Sequence, residues 1–436
     1  MRRRALVGAL MAAVVLGGAA PAIAAPGPPD AQEYWFDSWH VNSMWDSGAD
    51  GHGVTIAEID TGVNASLTGL HGRILNGTDF GESGNGHVDR DKDPFGHGTA
   101  MASIMVSRPS SFDVTGVAPG ARILPIAVPL GGTTDEQADD HLVQAIRYAA
   151  DHGAKIISMS LGGTRKPSAG QQACYPDEQA AIFYAMKKGV LLVAAAGNAG
   201  KHGSPVEEPG VCLGVVSVGA VDESNKVADF SSRHPYLTLT APGVNVPSLG
   251  RIAGQAYHGD GTSQATALAS AAAALVWSKF PKLTASQVLA RLLATTDHHS
   301  TTPSTSYGYG VVNPYRAITQ KVSTSAPDPV YANAAPFMAR GAVAGLSGTG
   351  TPPAPAKHSA PPGTVRIAAT PSRITSQVVT GLATAAAGLI LLVVLVFGGV
   401  RNGRRRKVRA AALQAAASPP PPPPHVDSDG VEWHQL

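Results

Sequence analysis

The feature that most constrains this chain is a turn of small residues followed by an almost wholly apolar, helix-like run. The turn is Gly261–Ala267, Gly-Thr-Ser-Gln-Ala-Thr-Ala, and the run is Leu268–Trp277. A helix that is apolar on every side has to be buried, so the rest of the fold must surround it. Ser263 then stands at the N-terminal end of a central helix, where free backbone N–H groups and the helix dipole favour a developing negative charge.

A serine hydroxyl becomes a good nucleophile only when a base removes its proton, and that base needs an orienting carboxylate. Two other stretches of the chain offer these groups. Val54–Val63 is typical of a buried strand that ends on Asp60 at a glycine turn, and Gly96–Ser103 places His97 at the start of a helix of small residues. The pattern predicts that Asp60, His97 and Ser263 form a catalytic triad.

These stretches, in the chain order aspartate, histidine, serine, resemble the motifs of the subtilisin-like serine proteases. The resemblance extends to Gly116–Ala121, Ile156–Gly163 and Val193–Asn198. It implies hydrolysis of peptide bonds, with the side-chain amide of Asn198 donating to the oxyanion beside the Ser263 backbone N–H. It also implies that Ser160, Leu161 and Gly162 form an edge strand that holds the substrate backbone by strand addition.

The strand-like runs of the catalytic region are apolar without polar alternation, as expected for a sheet covered on both faces. They are Val54–Ile59, Ile123–Val128, Ile156–Met159, Val190–Ala195 and Val215–Val218. Residues 141–152 and 177–188 between them have the apolar spacing of helices. We therefore expect an α/β fold over residues 54–319, a subtilisin-like three-layer domain with a mainly parallel sheet flanked by helices.

One charged residue interrupts the first strand. Glu58 lies two residues before Asp60, and strand alternation places both side chains on the same face of the sheet. We expect Glu58 to be a paired, buried carboxylate or a strand-end group.

The N-terminal part of the chain differs in composition from this domain. Residues 1–24 have a basic start, a short apolar run and then Ala-Ile-Ala, which predicts a signal peptide cleaved after Ala24, with an uncleaved membrane anchor as the alternative. Residues 25–53 are too few for the inhibitory prodomain that many secreted members of the family carry. Their aromatic residues predict an arm packed on the catalytic domain, so we expect an active site that is open as soon as the chain folds.

The C-terminal part predicts membrane attachment. Residues 320–376 are rich in Pro, Ala, Gly and Ser and predict a linker. Residues 377–400 carry no charge and are long enough to cross a bilayer as one helix. Basic residues crowd the start of 401–436, so the positive-inside rule predicts a cytoplasmic C-terminus and an extracellular catalytic domain. The proline run in this tail predicts a spacer, with a polyproline-binding partner as the alternative.

Charge and cysteine content limit the partners and cofactors. With the basic residues of both termini set aside, acidic residues outnumber basic ones, which argues against nucleic acid as a partner. Asp89–Asp93 is the nearest approach to a calcium loop but predicts a solvated turn. Cys174 and Cys212 lie in the exported region, where thiols pair, so we expect a disulfide rather than a thiol nucleophile or a metal site. We expect no metal and no cofactor, and protein or peptide substrates.

Signal peptide, triad, linker and C-terminal span together resemble the mycosins, the membrane-anchored subtilases of type VII secretion. The resemblance implies a narrow processing enzyme that cuts exported substrates at the membrane, in contact with the secretion complex. Two alternatives stay open at this point. One is a structural stabiliser of the complex whose protease activity is dispensable, and the other is a general surface protease.

Overall fold

The computed structural model describes residues 33–80, 91, 93–109, 114–129, 135–165, 174–339, 425–426 and 432–435. The predicted signal peptide (1–24) and the predicted membrane span (377–400) lie outside these ranges. Among the described residues, no helix is both long and apolar enough to cross a membrane.

The strands form one large sheet and two small ones. They are β1 (Thr55–Asp60), β2 (Thr78–Asp79), β3 (Arg122–Ala127), β4 (Ile156–Met159), β5 (Gly163–Arg165), β6 (Leu191–Ala195), β7 (Val206–Glu208), β8 (Val215–Val221), β9 (Leu239–Pro242), β10 (Val246–Leu249), β11 (Ala256–Asp260), β12 (His425–Val426) and β13 (Glu432–Gln435). The large sheet has the order β2-β3-β1-β4-β6-β8-β9, and every neighbouring pair is parallel. The predicted parallel sheet is confirmed, and each predicted apolar run supplies one of its strands.

Helices cover both faces of this sheet. They are α1 (Trp35–Ser38), α2 (Val41–Asp46), α3 (His97–Val106), α4 (Asp135–Asp151), α5 (Pro176–Lys187), α6 (Thr262–Lys279), α7 (Ala285–Ala294), α8 (Pro314–Thr319) and α9 (Pro329–Ala339). Strand alternation divides the core in two. Ile56 of β1 packs on the side of α3 and α6, whereas Ala57 packs on the side of α4 and α5. The result is the three-layer arrangement predicted from the sequence.

Helix α6 is the central buried element. Every residue from Thr262 to Trp277 is buried, and the helix packs against α3 and against β4, β6, β8 and β9. Its many alanines allow the close approach to the sheet, and its C-cap Phe280 is followed by Pro281, which cannot continue a helix. The helix begins at Thr262, so Ser263 lies at its N-terminal end as predicted.

The aromatic residues before β1 form part of the core. Trp35, Phe36 and Trp39 of the predicted arm are each no more than 3% exposed. The Trp45 indole Nε1–H donates to the Val117 carbonyl oxygen at 2.9 Å, and the Thr115 backbone N–H donates to Glu33 Oε1 at 3.0 Å. This segment is therefore packed on the catalytic domain.

The region after residue 319 differs from the predicted linker, because the compact fold continues to Ala339. Asp328 Oδ1 accepts from the backbone N–H groups of Val330 and Tyr331, which starts α9. The Tyr331 hydroxyl donates to the Val190 carbonyl oxygen at 2.9 Å, and Ala334 is fully buried. The composition of this region did not predict the helix, because only a few spaced residues make its apolar contacts.

The C-terminal strands also differ from expectation. β13 pairs antiparallel with β11, with Trp433 opposite Gly259 and Glu432 opposite Asp260, and β12 pairs with β13. A strand paired with β11 lies on the same side of any membrane as the catalytic domain. The tail 401–436 therefore cannot be paired with β11 and lie in the cytoplasm at the same time.

The expected disulfide is formed between Cys174 and Cys212, with an S–S distance of 2.01 Å and a sequence separation of 38. It joins the residue two before α5 to the loop that precedes β8.

Candidate active site

The carboxyl end of β1 and the N-terminus of α3 bring Asp60 and His97 together. His97 Nδ1 lies 2.8 Å from Asp60 Oδ1 and 3.0 Å from Oδ2, and both side chains are almost fully buried. Gly98 permits this approach, because a Cβ there would come within 2.3 Å of the Gly62 carbonyl oxygen. The contact fixes the ring so that Nε2, on its opposite edge, is the nitrogen available for proton transfer.

Two other aspartates hold the start of α3. Asp91 accepts from the Thr99 backbone N–H and hydroxyl at 2.7 and 2.6 Å, and from the Thr61 hydroxyl at 2.7 Å. Asp93 Oδ2 accepts from the Gly96 backbone N–H at 2.7 Å. Burial raises the pKa of Asp91 to about 6, against the lowering effect of these hydrogen bonds. The prediction of a solvated turn at Asp89–Asp93 is therefore wrong for Asp91, which is 3% exposed because it caps the helix that carries the histidine.

Glu58 lies beneath the same pair. It is 1% exposed, and burial, reinforced by the nearby Asp60 and Asp91 carboxylates, raises its pKa well above the ordinary range. The expected burial of this carboxyl group is confirmed, and burial favours its protonated form because the charged form is costly to desolvate.

Ser263 forms a reciprocal pair of hydrogen bonds with Ser160. The Ser263 hydroxyl donates to the Ser160 carbonyl oxygen at 2.9 Å, and the Ser160 hydroxyl donates to the Ser263 carbonyl oxygen at 3.0 Å. The bonds tie the start of α6 to the chain that leaves β4. Since α3 packs against α6, the serine and the histidine stand at the first turns of two contacting helices.

Asn198 follows β6 and is held by the residue before the nucleophile. Its Oδ1 accepts from the Thr262 backbone N–H at 2.8 Å and from the Thr262 hydroxyl at 2.9 Å. The Gly197 backbone N–H in turn donates to the Thr262 hydroxyl oxygen at 3.2 Å. Because the amide is planar, fixing its oxygen also fixes the direction of its NH₂ group. Thr262 was not among the predicted site residues, although its place next to Ser263 was a usable signal.

Ser160, Leu161 and Gly162 extend β4 beyond the main sheet and lead into β5. Leu161 is 8% exposed and packs in the core on the side of α4 and α5. The segment can therefore offer substrate its backbone N–H and carbonyl groups rather than this side chain.

Metal-ligating side chains come together at one place among the residues that the structure describes, namely Cys174, Glu178 and Cys212. Both sulfurs of this group are in the disulfide, so it offers no thiolate.

Comparison with known proteins agrees with this fold. The profile of the subtilase family, peptidase S8, matches residues 51–310. The major intracellular serine protease of Bacillus subtilis is 35% identical over 262 residues, which span 58% of this chain and 79% of that protein.

Two solved structures are also similar. The MycP3 protease from the type VII (ESX-3) secretion system has a TM-score of 0.59 and 30% identity, covering 68% of this chain and 90% of that chain. The periplasmic assembly from the ESX-5 inner membrane complex contains a chain with a TM-score of 0.58 and 27% identity, covering 68% of this chain and 86% of that chain. With its fold, its buried Asp60–His97 pair and these relatives, the chain belongs to the subtilase family and is a subtilisin-like serine endopeptidase.

Proposed function

We propose that this endopeptidase uses Asp60, His97 and Ser263 as its triad, is anchored in the cell membrane with its catalytic domain outside, and processes proteins exported by a type VII secretion system. The observation that carries the catalytic part is the 2.8 Å contact between His97 Nδ1 and Asp60 Oδ1, on a helix packed against the one that begins with Thr262 and Ser263.

In the first half of the reaction, the Ser263 hydroxyl turns from the Ser160 oxygen toward His97. Its oxygen bonds to the peptide carbonyl carbon while its proton passes to Nε2, and the carbonyl electron pair moves onto the oxygen. Asn198 and the Ser263 backbone N–H donate to this oxyanion. Collapse breaks the C–N bond, and the imidazolium gives its proton to the leaving amine.

In the second half, a water molecule attacks the acyl-serine while His97 takes its proton. Collapse of this intermediate releases the new carboxyl terminus and returns the proton to the Ser263 oxygen. Asp60 stays ionised throughout, holding the tautomer of His97 and stabilising the imidazolium that forms twice in each cycle.

The triad is tested by treating the full-length chain with a fluorophosphonate and mapping the adduct by peptide mass spectrometry. The adduct is expected on Ser263 and is expected to be lost in Ser263→Ala and strongly reduced in His97→Ala. Ser278→Ala, at the other end of the same helix, is the matched control and should label as the unchanged chain does. An adduct that persists in Ser263→Ala would refute the assignment.

The membrane anchor is supported by the uncharged residues 377–400 and the basic residues that follow them. In the anchored state that we propose, β13 does not pair with β11, so a reporter that is fluorescent only in the cytoplasm, fused to the C-terminus, is expected to be active. An alkaline phosphatase fused there is expected to be inactive. The opposite pattern would contradict the topology and would leave Glu432–Gln435 on the correct side to pair with β11.

The secretion role is supported by the similarity to MycP3, whose structure is described as that of a protease from a type VII secretion system. In the host, Ser263→Ala is expected to leave exported substrates uncut while the protein remains in the membrane. Casein digestion by the full-length chain separates this role from that of a general surface protease, which would degrade it readily.

A structural role in the complex is the second candidate, favoured by the similarity to a chain of the ESX-5 periplasmic assembly. A deletion strain carrying Ser263→Ala distinguishes the two. If this variant restores secretion in full, and the uncut substrates have no effect on the cell, the structural role is favoured over processing.

A further inference from the structure

The loop that carries Asn198 is held from behind by a distant segment of the chain. Asn198 lies a few residues after β6 and directly after Gly197, whose φ of +100° is in the region that favours glycine. Because glycine can adopt many backbone conformations, the neighbours of Asn198 in sequence do not fix the direction of this loop. Contacts from elsewhere in the fold have to fix it.

Ser232 makes such contacts on both sides of Asn198. The Ser232 backbone N–H donates to the Gly197 carbonyl oxygen at 2.9 Å, and the Ser232 hydroxyl oxygen accepts from the Ala199 backbone N–H at 3.1 Å. Ser232 is fully buried, so bulk water does not compete for either hydrogen bond. The two bonds therefore restrain the backbone immediately before and immediately after Asn198.

The residues around Ser232 lie close along the rest of this loop. The Gly200 backbone N–H donates to the Phe230 carbonyl oxygen at 2.7 Å, and a Cβ on Gly200 would lie 2.4 Å from the Ser231 carbonyl oxygen. Residues 230–232 thus hold residues 197–200 through three hydrogen bonds, of which the hydroxyl of Ser232 supplies the one that a side-chain substitution can remove.

From this geometry we propose that Ser232 is a positioning residue for the reaction and that it acts on the oxyanion through Asn198. The inference rests on the proposed function, in which Asn198 donates to the oxyanion formed at Ser263. Thr262 fixes the plane of the Asn198 amide, and Ser232 fixes the backbone that carries this amide. An oxyanion donor is most effective when its direction is set before the reaction, because it then needs no reorganisation in the transition state.

The preceding residue provides a matched control. Ser231 is also fully buried, and its hydroxyl oxygen accepts from the backbone N–H of Ala220, in β8, at 3.0 Å. Alanine at either serine removes one oxygen atom and leaves one backbone N–H without its acceptor. The two variants should therefore lose similar stability, which thermal unfolding measures, but only Ser232→Ala should loosen the Asn198 loop.

The test measures the rate at which a fluorophosphonate labels Ser263 in the full-length chain in detergent. The phosphoryl oxygen of the probe gains negative charge as the serine attacks, so the rate constant at saturating probe reports on the oxyanion donors. Asn198→Ala should lower this rate constant by about 10²- to 10³-fold. Ser232→Ala should lower it by about tenfold, the effect of losing one hydrogen bond, at an unchanged half-saturating probe concentration. Ser231→Ala should label as the unchanged chain does.

The Asn198→Ala background separates a role through Asn198 from a general role in stability. In that background, Ser232→Ala should change the labelling rate little, because the donor that it positions is already absent. An equal fall there, an equal fall in Ser231→Ala, or no fall in Ser232→Ala would overturn the role of Ser232 alone. A labelling rate that Asn198→Ala leaves unchanged would instead overturn the oxyanion donor of the proposed function and this inference with it.

Discussion

The histidine at the start of α3 lies near three buried carboxyl groups that make different contacts. Asp60 holds the ring, and Asp91 accepts three hydrogen bonds from Thr61 and Thr99. Burial raises the pKa of Glu58. Asp60 is the carboxyl group in contact with the imidazole, and it orients the ring. Since all three carboxyl groups are at most 3% exposed, their contacts and not their depth distinguish their roles.

Asn198 should act in the transition state and not in substrate binding. Replacement by Ala removes the amide N–H donor whose direction is fixed by the hydrogen bonds to Thr262. We therefore expect kcat to fall by about 10²- to 10³-fold with little change in KM. Steady-state kinetics on one peptide measure both constants. Thr262→Ser keeps the orienting hydroxyl and is expected to stay near the unchanged rate. A raised KM at constant kcat for Asn198→Ala would contradict the role.

Glu58 predicts a specific pH dependence of stability. Its folded pKa is raised by burial, so between the unfolded and folded pKa values the unfolded state binds fewer protons and stability falls as the pH rises. Glu58→Gln cannot ionise, so its stability relative to the unchanged chain should increase from pH 5 toward pH 8.

Thermal unfolding across this pH range measures the effect, with Glu223→Gln as the control at an exposed carboxylate. The pH trend is diagnostic, because any packing cost of the buried amide is the same at every pH. Parallel stability curves for Glu58→Gln and the unchanged chain would show that Glu58 is already ionised in the folded state.

At the scale of the element, the ends of helices carry the function. α3 begins with His97, α6 begins one residue before Ser263, and α7 begins with a capping box. In α7, the Gln287 backbone N–H donates to the Thr284 hydroxyl oxygen, and the Gln287 side chain accepts from the Thr284 backbone N–H. This cap is a local feature of the sequence, because capping depends on residues close together in the chain.

The Thr284 cap gives a test of this local rule. Thr284→Ala leaves an N-terminal N–H of α7 without its side-chain acceptor and is expected to cost about 1 kcal/mol of unfolding free energy. Thr284→Ser keeps the acceptor and should cost only a small part of that. Urea unfolding measures both, and equal midpoints for the Ala and Ser variants would remove the cap from the account of stability.

At the scale of the whole molecule, residues far apart in sequence hold one fold together. The arm before β1, the disulfide and α9 all attach peripheral segments to the sheet and its helices. For the extracellular protease that we propose, such attachments limit the local opening that exposes a chain to its own active site and to other proteases.

The Cys174–Cys212 bridge should contribute through the unfolded state. For a separation of 38 residues, chain entropy predicts a loss of about 4 kcal/mol of stability in the double Cys→Ser variant. Guanidinium unfolding measures it, and reductant added to the variant is the control, since it should have no further effect. Free thiols in the denatured, unreduced exported protein would show that the bridge does not form in the cell.

The sequence by itself determined the parallel sheet, the central helix α6, the identities of Asp60, His97 and Ser263 as candidates, and the pairing of the two cysteines. Each of these depends on a short pattern, such as an apolar run, a glycine turn or a helix start, whose physical meaning is local. The order of the motifs could be recognised without knowledge of the packing, because each motif is complete within a few residues.

The tertiary structure alone decided the burial of Asp91, the raised pKa of Glu58 and the docking of α9. None of these is encoded by neighbours in sequence. Whether a carboxyl group is solvated or buried depends on which distant segments pack around it, and the two-residue separation of Glu58 and Asp60 along β1 carries no signal of that. For this reason the candidate nucleophile was predictable, while the surroundings of the buried carboxyl groups were not.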